Sequence, residues 1–446
     1  MLTDKKTIFA PATGTSKSGV AIIRISGSNT KLLFGKICNE SPFLNPRKAI
    51  LSPLKDHRSD EIIDHAIVIW FPAPHSFTGE DTLELHIHGS IAIINILLEV
   101  LANFEGFRLA LPGEFARRAF LNDKMDLTKA EGLADLIEAE TKIQHKQALR
   151  QYSGELENLY SGWREEIITI MANLEVMIDF PDEDLPEELL DLVKKNIARL
   201  KDSIITHLSD NNRGEKLRNG LYASILGMPN VGKSTFINLL AKRDVAIVSS
   251  QAGTTRDILE AHLDIGGFPI TVADTAGLRE TENEIETEGI KRAISSSKKA
   301  DIKIIIIDPT QGDIYSQIID LIDEDSICII NKIDNFDQHN FSNPYIKDPI
   351  FTSFKTGKNV DIVLAALQKK AENLFPSNSQ AVITRQRYRY HLKNCLEYLD
   401  KFSLDNEMIL AAEDLRLAAN EISQILGTID IENILDKIFS SFCLGK

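Results

Sequence analysis

Apolar positions follow three rhythms along this chain, and each predicts a different kind of element. In the first ~120 residues the clearest is strict alternation. Over Thr82–His88, Leu83, Leu85 and Ile87 fall on one face and Glu84, His86 and His88 on the other, the period of a half-buried strand. Gly19–Ser26 and His65–Phe71 are also strand-like, while Ile91–Leu101 has helical spacing, so this stretch is mixed α/β. Further on the spacing lengthens to that of amphipathic helices. Leu127, Ala130, Ala134 and Ile137 share one face, and Ile167, Ile170, Met171, Leu174 and Met177 share another. Phe180–Pro186 interrupts this pattern, because Pro181 and Pro186 cannot continue a helix interior. The acidic run Asp182–Glu188 reads as a solvated connection.

The third rhythm alternates strand and helix signals. Ile302–Ile307 and Ile327–Ile330 are short continuous apolar runs, suited to strands buried on both faces. Gly266-Gly267 divides Ile258–Ala273 into the two halves of a hairpin. After Pro376 helical spacing returns through Leu410, Leu415, Ala418, Ile422 and Ile425, then Ile431, Ile434, Leu435 and Ile438. The expected fold class is α/β plus α. A mixed α/β domain (1–120) leads into a helical domain (121–217 and 376–446), into which a doubly wound α/β domain (218–375) is inserted.

Composition adds limits rather than architecture. With 446 residues, 43% hydrophobic and 26% charged, the chain reads as a soluble protein of about three domains. Its four cysteines are widely scattered without a C-x-x-C pair, which suggests a reducing compartment. No leader-like apolar segment and no long uncharged run is seen, so the expectation is a cytoplasmic protein without membrane association. A net charge of −15 disfavours unaided binding to nucleic acid. The best local basic segment is Thr384–Lys393, where Arg385, Arg387, Arg389 and Lys393 interleave with Tyr388, Tyr390 and His391; it reads either as an RNA contact or as a solvated helix start. Glu84, His86 and His88 likewise read either as a metal site or as a solvent- or ligand-facing strand surface.

The inserted domain carries the chemistry. Gly227–Thr235 fits the phosphate-loop pattern G-x-x-x-x-G-K-S/T, and it lies between the strand-like run Tyr222–Leu226 and a helical pattern containing Phe236, Leu239 and Leu240. Successive N–H groups at the helix start would face phosphate, Lys233 would neutralise the outer phosphates, and Ser234 would offer its hydroxyl to Mg2+. Gly253-Thr-Thr-Arg-Asp257 supplies a second Mg2+ candidate, Thr255, and Asp274-Thr-Ala-Gly277 places Asp274 near the metal and Gly277 near the γ-phosphate. Asn331-Lys-Ile-Asp334 has the form of a guanine-reading motif, and Ser353-Phe-Lys355 stands where related GTPases read Ser-Ala-Lys. The expected GTP-binding set is Asn230, Val231, Gly232, Lys233, Ser234, Thr235, Ser249, Ser250, Gln251, Ala252, Gly253, Thr254, Thr255, Asp274, Thr275, Ala276, Gly277, Asn331, Lys332, Ile333, Asp334, Ser353, Phe354 and Lys355. After Gly277 stands Leu278, which cannot orient a water as glutamine does in Ras-like enzymes, so another group must do so.

The whole chain resembles the MnmE (TrmE) family of tRNA-modification GTPases. The likeness runs through Ile22–Gly27, Ser76–Asp81, Pro112–Phe115, Arg118–Asp126, Phe180–Asp182, every GTPase motif and Phe439–Lys446. It departs at Phe354 and at Ser90, which replaces the usual second glycine of a His-Gly-Gly stretch. The resemblance implies a homodimer that hydrolyses GTP with Mg2+ and K+ and binds a tetrahydrofolate derivative, 5,10-methylene- or 5-formyl-tetrahydrofolate. It further implies a heterotetramer with the flavoprotein MnmG, which contributes FAD, acting on the wobble uridine of certain tRNAs. Matching positions put Arg24, Glu84, Lys124 and Lys446 at folate, Glu286 at the attacking water, Asn230, Ser249, Gln251 and Thr254 at K+, and Cys443 in the modification step. A regulatory GTPase of ribosome assembly is the alternative, as it shares the GTPase motifs; such proteins usually carry an RNA-binding domain after them, whereas this chain continues into an apolar helix.

Overall fold

Six strands of the N-terminal stretch, β1 (Thr7–Pro11), β2 (Ser18–Ser26), β3 (Ile50–Lys55), β4 (Ile62–Phe71), β5 (Thr82–Gly89) and β6 (Phe107–Leu109), form one mixed sheet in a computed structural model of the chain. Their order is β3-β4-β5-β2-β1-β6. The structure describes residues 6–14, 16–39, 41–179, 187–243, 245–247, 260–274, 297–311, 316–336, 341–375, 382–404, 407–428, 438, 439, 442 and 445. The alternation over β5 has the expected effect: Leu83, Leu85 and Ile87 are buried with Ile23, Ile25, Val68 and Trp70 under the helix Ile91–Ala102. Each such aliphatic side chain contributes about 2 kcal/mol by leaving water. Glu84 and His86 stay partly exposed on the opposite face.

This sheet belongs to one of two compact units, residues 1–134, 152–172 and 409–446; the other comprises 135–151 and 173–408. In the first unit the chain's end returns to the N-terminal segment. Phe439 and Phe442 pack against Ala116, Ala119, Met125 and Leu127. Gly113 has φ +68, and a Cβ there would lie 2.3 Å from the Phe439 carbonyl oxygen. Gly445 has φ +93, and a Cβ there would lie 1.9 Å from the Pro11 carbonyl oxygen. Only glycine lets backbone approach this closely in a left-handed conformation.

In the second unit six strands, β7 (Leu221–Leu226), β8 (Glu260–Ile265), β9 (Phe268–Asp274), β10 (Ile302–Ile307), β11 (Ser326–Ile330) and β12 (Ile350–Phe351), are ordered β12-β11-β10-β7-β9-β8. All neighbouring pairs are parallel except β8 with β9, the hairpin turned by Gly266 at φ +64 and Gly267 at φ +91. The isoleucine runs of β10 and β11 are buried because core lies on both faces of a parallel sheet, one packed by Phe236, Ile237, Val363 and Leu367 and the other by Ile318, Leu321 and Ile322. Both ends of the inserted segment meet at Asp135. Arg218 Nε, just before β7, and Arg385 Nη2, just after the insertion, each donate to Asp135 Oδ1 at 2.8 Å. Gln144 Nε2 donates to the Arg218 carbonyl (3.1 Å) and Thr384 Oγ1 to Gln151 Oε1 (2.9 Å). Asp135, Gln144, Arg218 and Thr384 also line a cavity of about 140 Å3. Among the described residues no helix is long and apolar enough to cross a membrane.

Candidate active site

The candidate nucleotide site is built at the C-terminal edge of the parallel sheet, where loops after successive strands converge on one crevice. The phosphate loop follows β7, Asp274 ends β9, Asp308 follows β10, Asn331 follows β11 and Ser353 follows β12. The helix Lys233–Ala241 starts directly from the loop, so its first N–H groups face the place a phosphate would take. Two glycines are sterically required. A Cβ on Gly227 (φ +155) would lie 2.4 Å from the Ile306 carbonyl oxygen, and one on Gly232 (φ +105) would lie 2.6 Å from Asn331 Nδ2. Asn230 is also left-handed, at φ +61. Lys233 Nζ donates to the carbonyls of Gly227 (2.9 Å) and Met228 (3.0 Å), which folds its charge into the loop. Ser234 Oγ donates to Asp274 Oδ2 at 3.3 Å, which brings two hard oxygen atoms together beside the loop.

The base end is equally defined. Asn331 Nδ2 donates to the Val231 carbonyl at 2.7 Å and its Oδ1 accepts from the Phe354 N–H at 3.1 Å, tying the guanine motif to the phosphate loop and to the loop after β12. Ser353 Oγ donates to Asp334 Oδ1 at 2.7 Å, and this hydroxyl, with the Lys355 and Lys332 charges adding less, holds the Asp334 carboxyl below its ordinary range. Asp334 therefore stays ionised and able to accept from guanine N1–H and the amino group. The departure at Phe354 has a packing reason. Its ring is buried and stacks on Phe236 at 4.7 Å between centroids, within the core of the inserted domain. The ring fills the interior, while the Phe354 N–H at the base edge is held by Asn331 Oδ1.

The site residues Ser249, Ser250, Gln251, Ala252, Gly253, Thr254, Thr255, Thr275, Ala276, Gly277 and Glu286 lie outside the described residues, as do Cys443 and Lys446. In the first unit the structure joins Arg24 and Glu84 directly. They are register partners on β2 and β5, and Arg24 Nε and Nη2 both reach Glu84 Oε1 at 3.0 Å. The Arg24 guanidinium lies 5.3 Å from the Phe77 ring centre and 5.9 Å from that of Phe115. Lys124 comes to the same loop: a Cβ on Gly79 would lie 3.0 Å from Lys124 Cε, and Asn122 Nδ2 donates to the Thr78 carbonyl at 2.7 Å. The loop is held from below by Arg118, which pairs with Glu80 and Glu114 at 3.0 Å each; neither partner was marked as a site residue by its spacing.

One open sequence reading is closed and another is narrowed. The metal option for Glu84, His86 and His88 fails, because His86 turns to Glu84 (3.3 Å) while His88 Nδ1 pairs with Asp64 (2.8 Å). Among the described residues no group of three or more His, Cys, Asp or Glu could hold a metal ion. In the basic segment, Tyr388 is fully buried, Arg385 pairs with Asp135, and Arg389 pairs with Asp210 (2.6 Å) and Glu215 (2.9 Å). Much of its positive charge is consumed inside the second unit, which weakens the RNA reading.

A phosphate loop, a carboxylate at the end of β9 and a guanine motif on a parallel sheet define the class, a P-loop GTP-binding fold. Residues 7–124 match the family model described as GTP-binding protein TrmE N-terminus, and residues 127–443 match that of the MnmE helical domain. Curated relatives named tRNA modification GTPase MnmE include that of Rickettsia bellii (strain OSU 85-389), 48% identical over 99% of this chain and 100% of its own. That of Wolbachia pipientis subsp. Culex pipiens (strain wPip) is 48% identical over 100% of both chains. A solved structure of an Aquifex aeolicus Era variant bound to GDP.AlF4- aligns with 40% of this chain and 66% of its own, at 23% identity and a TM-score of 0.25. The chain belongs to the MnmE family of GTPases.

Proposed function

We propose that this GTPase is K+-dependent and hydrolyses GTP to drive tRNA modification. It acts with MnmG to attach an aminomethyl- or carboxymethylaminomethyl-type group to C5 of the wobble uridine, drawing one carbon from a tetrahydrofolate derivative. The observation that carries the nucleotide part is the joined set Asn331, Asp334 and Ser353 beside the phosphate loop, since its acceptor pattern suits guanine and not adenine. Family membership supports the tRNA part over ribosome assembly.

Lys233 would leave its loop carbonyls for the β/γ-phosphate oxygens, and the N–H groups of the helix start would orient the same phosphates. Ser234 and Asp274 would hold Mg2+, directly or through its water; Thr255 would complete that set. A bound metal would neutralise charge that develops on the phosphates. Asn230, Ser249, Gln251 and Thr254 are the proposed K+ ligands, and Glu286 the group that orients the attacking water in place of Leu278. In the first unit, Arg24 between Phe77 and Phe115 has the flat, cationic surroundings that suit a folate, with Glu84 facing the donor-rich ring. Lys124 and Lys446 would meet its carboxylates, and Cys443 is assigned to the modification step. We read residues 1–120 as the folate-binding and dimerisation module, 218–375 as the GTPase, and 121–217 with 376–446 as the helical frame.

Steady-state GTP hydrolysis in matched K+ and Na+ buffers tests the reading. Hydrolysis should be faster in K+ by about 100-fold, the scale of one transition-state charge contact. Equal rates would sink the K+ assignment.

A further inference from the structure

The end of β10 holds a buried carboxylate that none of the GTPase motifs contains. Asp308 is 3% exposed. Its Oδ1 accepts from the Thr310 N–H (3.0 Å) and hydroxyl (2.7 Å), and its Oδ2 lies 2.6 Å from Lys332 Nζ. Burial pushes this carboxyl up, but Lys332 and Thr310 together outweigh it and hold it below its ordinary range. An ionised group at this depth needs its cation.

Lys332 stands between two residues already tied down. Asn331 on one side binds the phosphate loop, and Asp334 on the other is fixed by Ser353. Lys332 itself sits at φ +63, a conformation in which an L-residue is costly unless its surroundings enforce it. The Asn331 N–H donates to the Ile307 carbonyl at 2.8 Å, so the strand ends of β10 and β11 are locked beside each other. With its ammonium drawn to Asp308 on the neighbouring strand, the Lys332 methylene stem runs across the sheet edge. A free lysine stem samples many rotamers; an anchored one presents a fixed apolar wall.

We propose that Asp308 is a positioning residue for guanine-nucleotide binding. It acts through Lys332, pinning that stem as a wall of the slot that receives the base and ribose. The inference rests on the GTP-binding reading of this site. Removing its negative charge should loosen the wall while leaving the phosphate loop and the attacking-water machinery intact. Binding should fall and turnover at saturation should not.

The experiment is a titration of the full-length protein with a fluorescent GDP analogue, with competition by pyrophosphate and by ADP, and with kcat and KM for GTP. For Asp308→Asn the expected result is GDP and GTP affinity weaker by ~10-fold, the scale of one lost buried charge pair, with kcat within about twofold. Pyrophosphate affinity should be unchanged, because its contacts lie on the phosphate loop. Asp308→Glu should recover part of the affinity. In combination with Lys332→Met, Asp308→Asn should add no further loss, since the anchor has nothing left to hold. Unchanged GDP affinity in Asp308→Asn would overturn the inference, as would additive losses in the double variant. Parallel loss of pyrophosphate binding would also overturn it, by showing collapse of the whole loop. If the unsubstituted protein bound ADP as well as GDP, the guanine reading itself would fail.

Discussion

The two candidate sites of this molecule are assembled in opposite ways. At the nucleotide site, chemistry arrives in short contiguous motifs, and those among the described residues hang from the C-terminal ends of parallel strands. Parallel order puts those ends on one edge, so a motif needs only to follow its strand to reach the crevice. At the N-terminal site single residues arrive from distant parts of the chain, Arg24 and Glu84 by antiparallel register and Lys124 by a loop contact. A phosphate-binding edge is thus written locally, whereas a sheet-face site is written in pairings.

The contrast can be broken most sharply at the phosphate loop. Gly232→Val should lower guanine-nucleotide affinity by at least ~100-fold, because the added atoms meet Asn331 Nδ2 in a backbone conformation valine avoids. Fluorescent-nucleotide titration reads this, and folate affinity should not move. A loss in both sites would contradict the separation.

Removing residues 440–446 attacks the other site. Calorimetry with a reduced folate should show binding abolished, while K+-stimulated hydrolysis stays within about twofold. The single change Phe442→Ala should lower the stability of the first unit by about 3 kcal/mol, since the ring is 7% exposed among Ala116, Ala119 and Met125. Thermal unfolding with and without folate separates the two effects.

Glu84→Gln tests whether the cross-strand pair is for ligand or for structure. Arg24 and Glu84 side chains keep 22% and 16% exposure, and glutamine still offers Arg24 an acceptor, so the change should cost only about 1 kcal/mol of stability. Folate affinity is expected to fall by ~10-fold, roughly one charged hydrogen bond. A large drop in melting temperature with unchanged affinity would reverse the assignment.

The smallest expected effect is a shift in pH dependence. Ser353 holds the Asp334 carboxyl below its ordinary value, so the ionised form persists as pH falls, and guanine binding should be lost only once pH passes that lowered value. In Ser353→Ala the carboxyl returns toward its ordinary range and the acid loss of GDP binding moves to higher pH. Identical acid limbs would show that the hydroxyl does not tune Asp334.

What could be read in advance follows the same division. Isoleucine runs and alternating segments appear where expected, because burial on one or both faces leaves its period in the sequence. β3 was not legible: it carries Pro53, and it tolerates that residue because it is an edge strand of its sheet. Asp308 was invisible as a site residue, since a lone aspartate after a strand has no motif. The partners of the basic segment were hidden for a related reason. The acceptors for Arg385 and Arg389 are Asp135, Asp210 and Glu215, far away in sequence, and no local pattern announces them.

The shared carboxylate of Asp135 has a consequence for how such a chain can be taken apart and rebuilt. Arg218 and Arg385 reach the same oxygen, so the segment between them leaves and re-enters its host at practically one point. Such a segment behaves as a cassette. A few residues of turn joining position 218 to position 385 would close the gap and keep both guanidiniums on Asp135. By the same geometry a foreign domain with adjacent termini could be spliced in without prising the host helices apart.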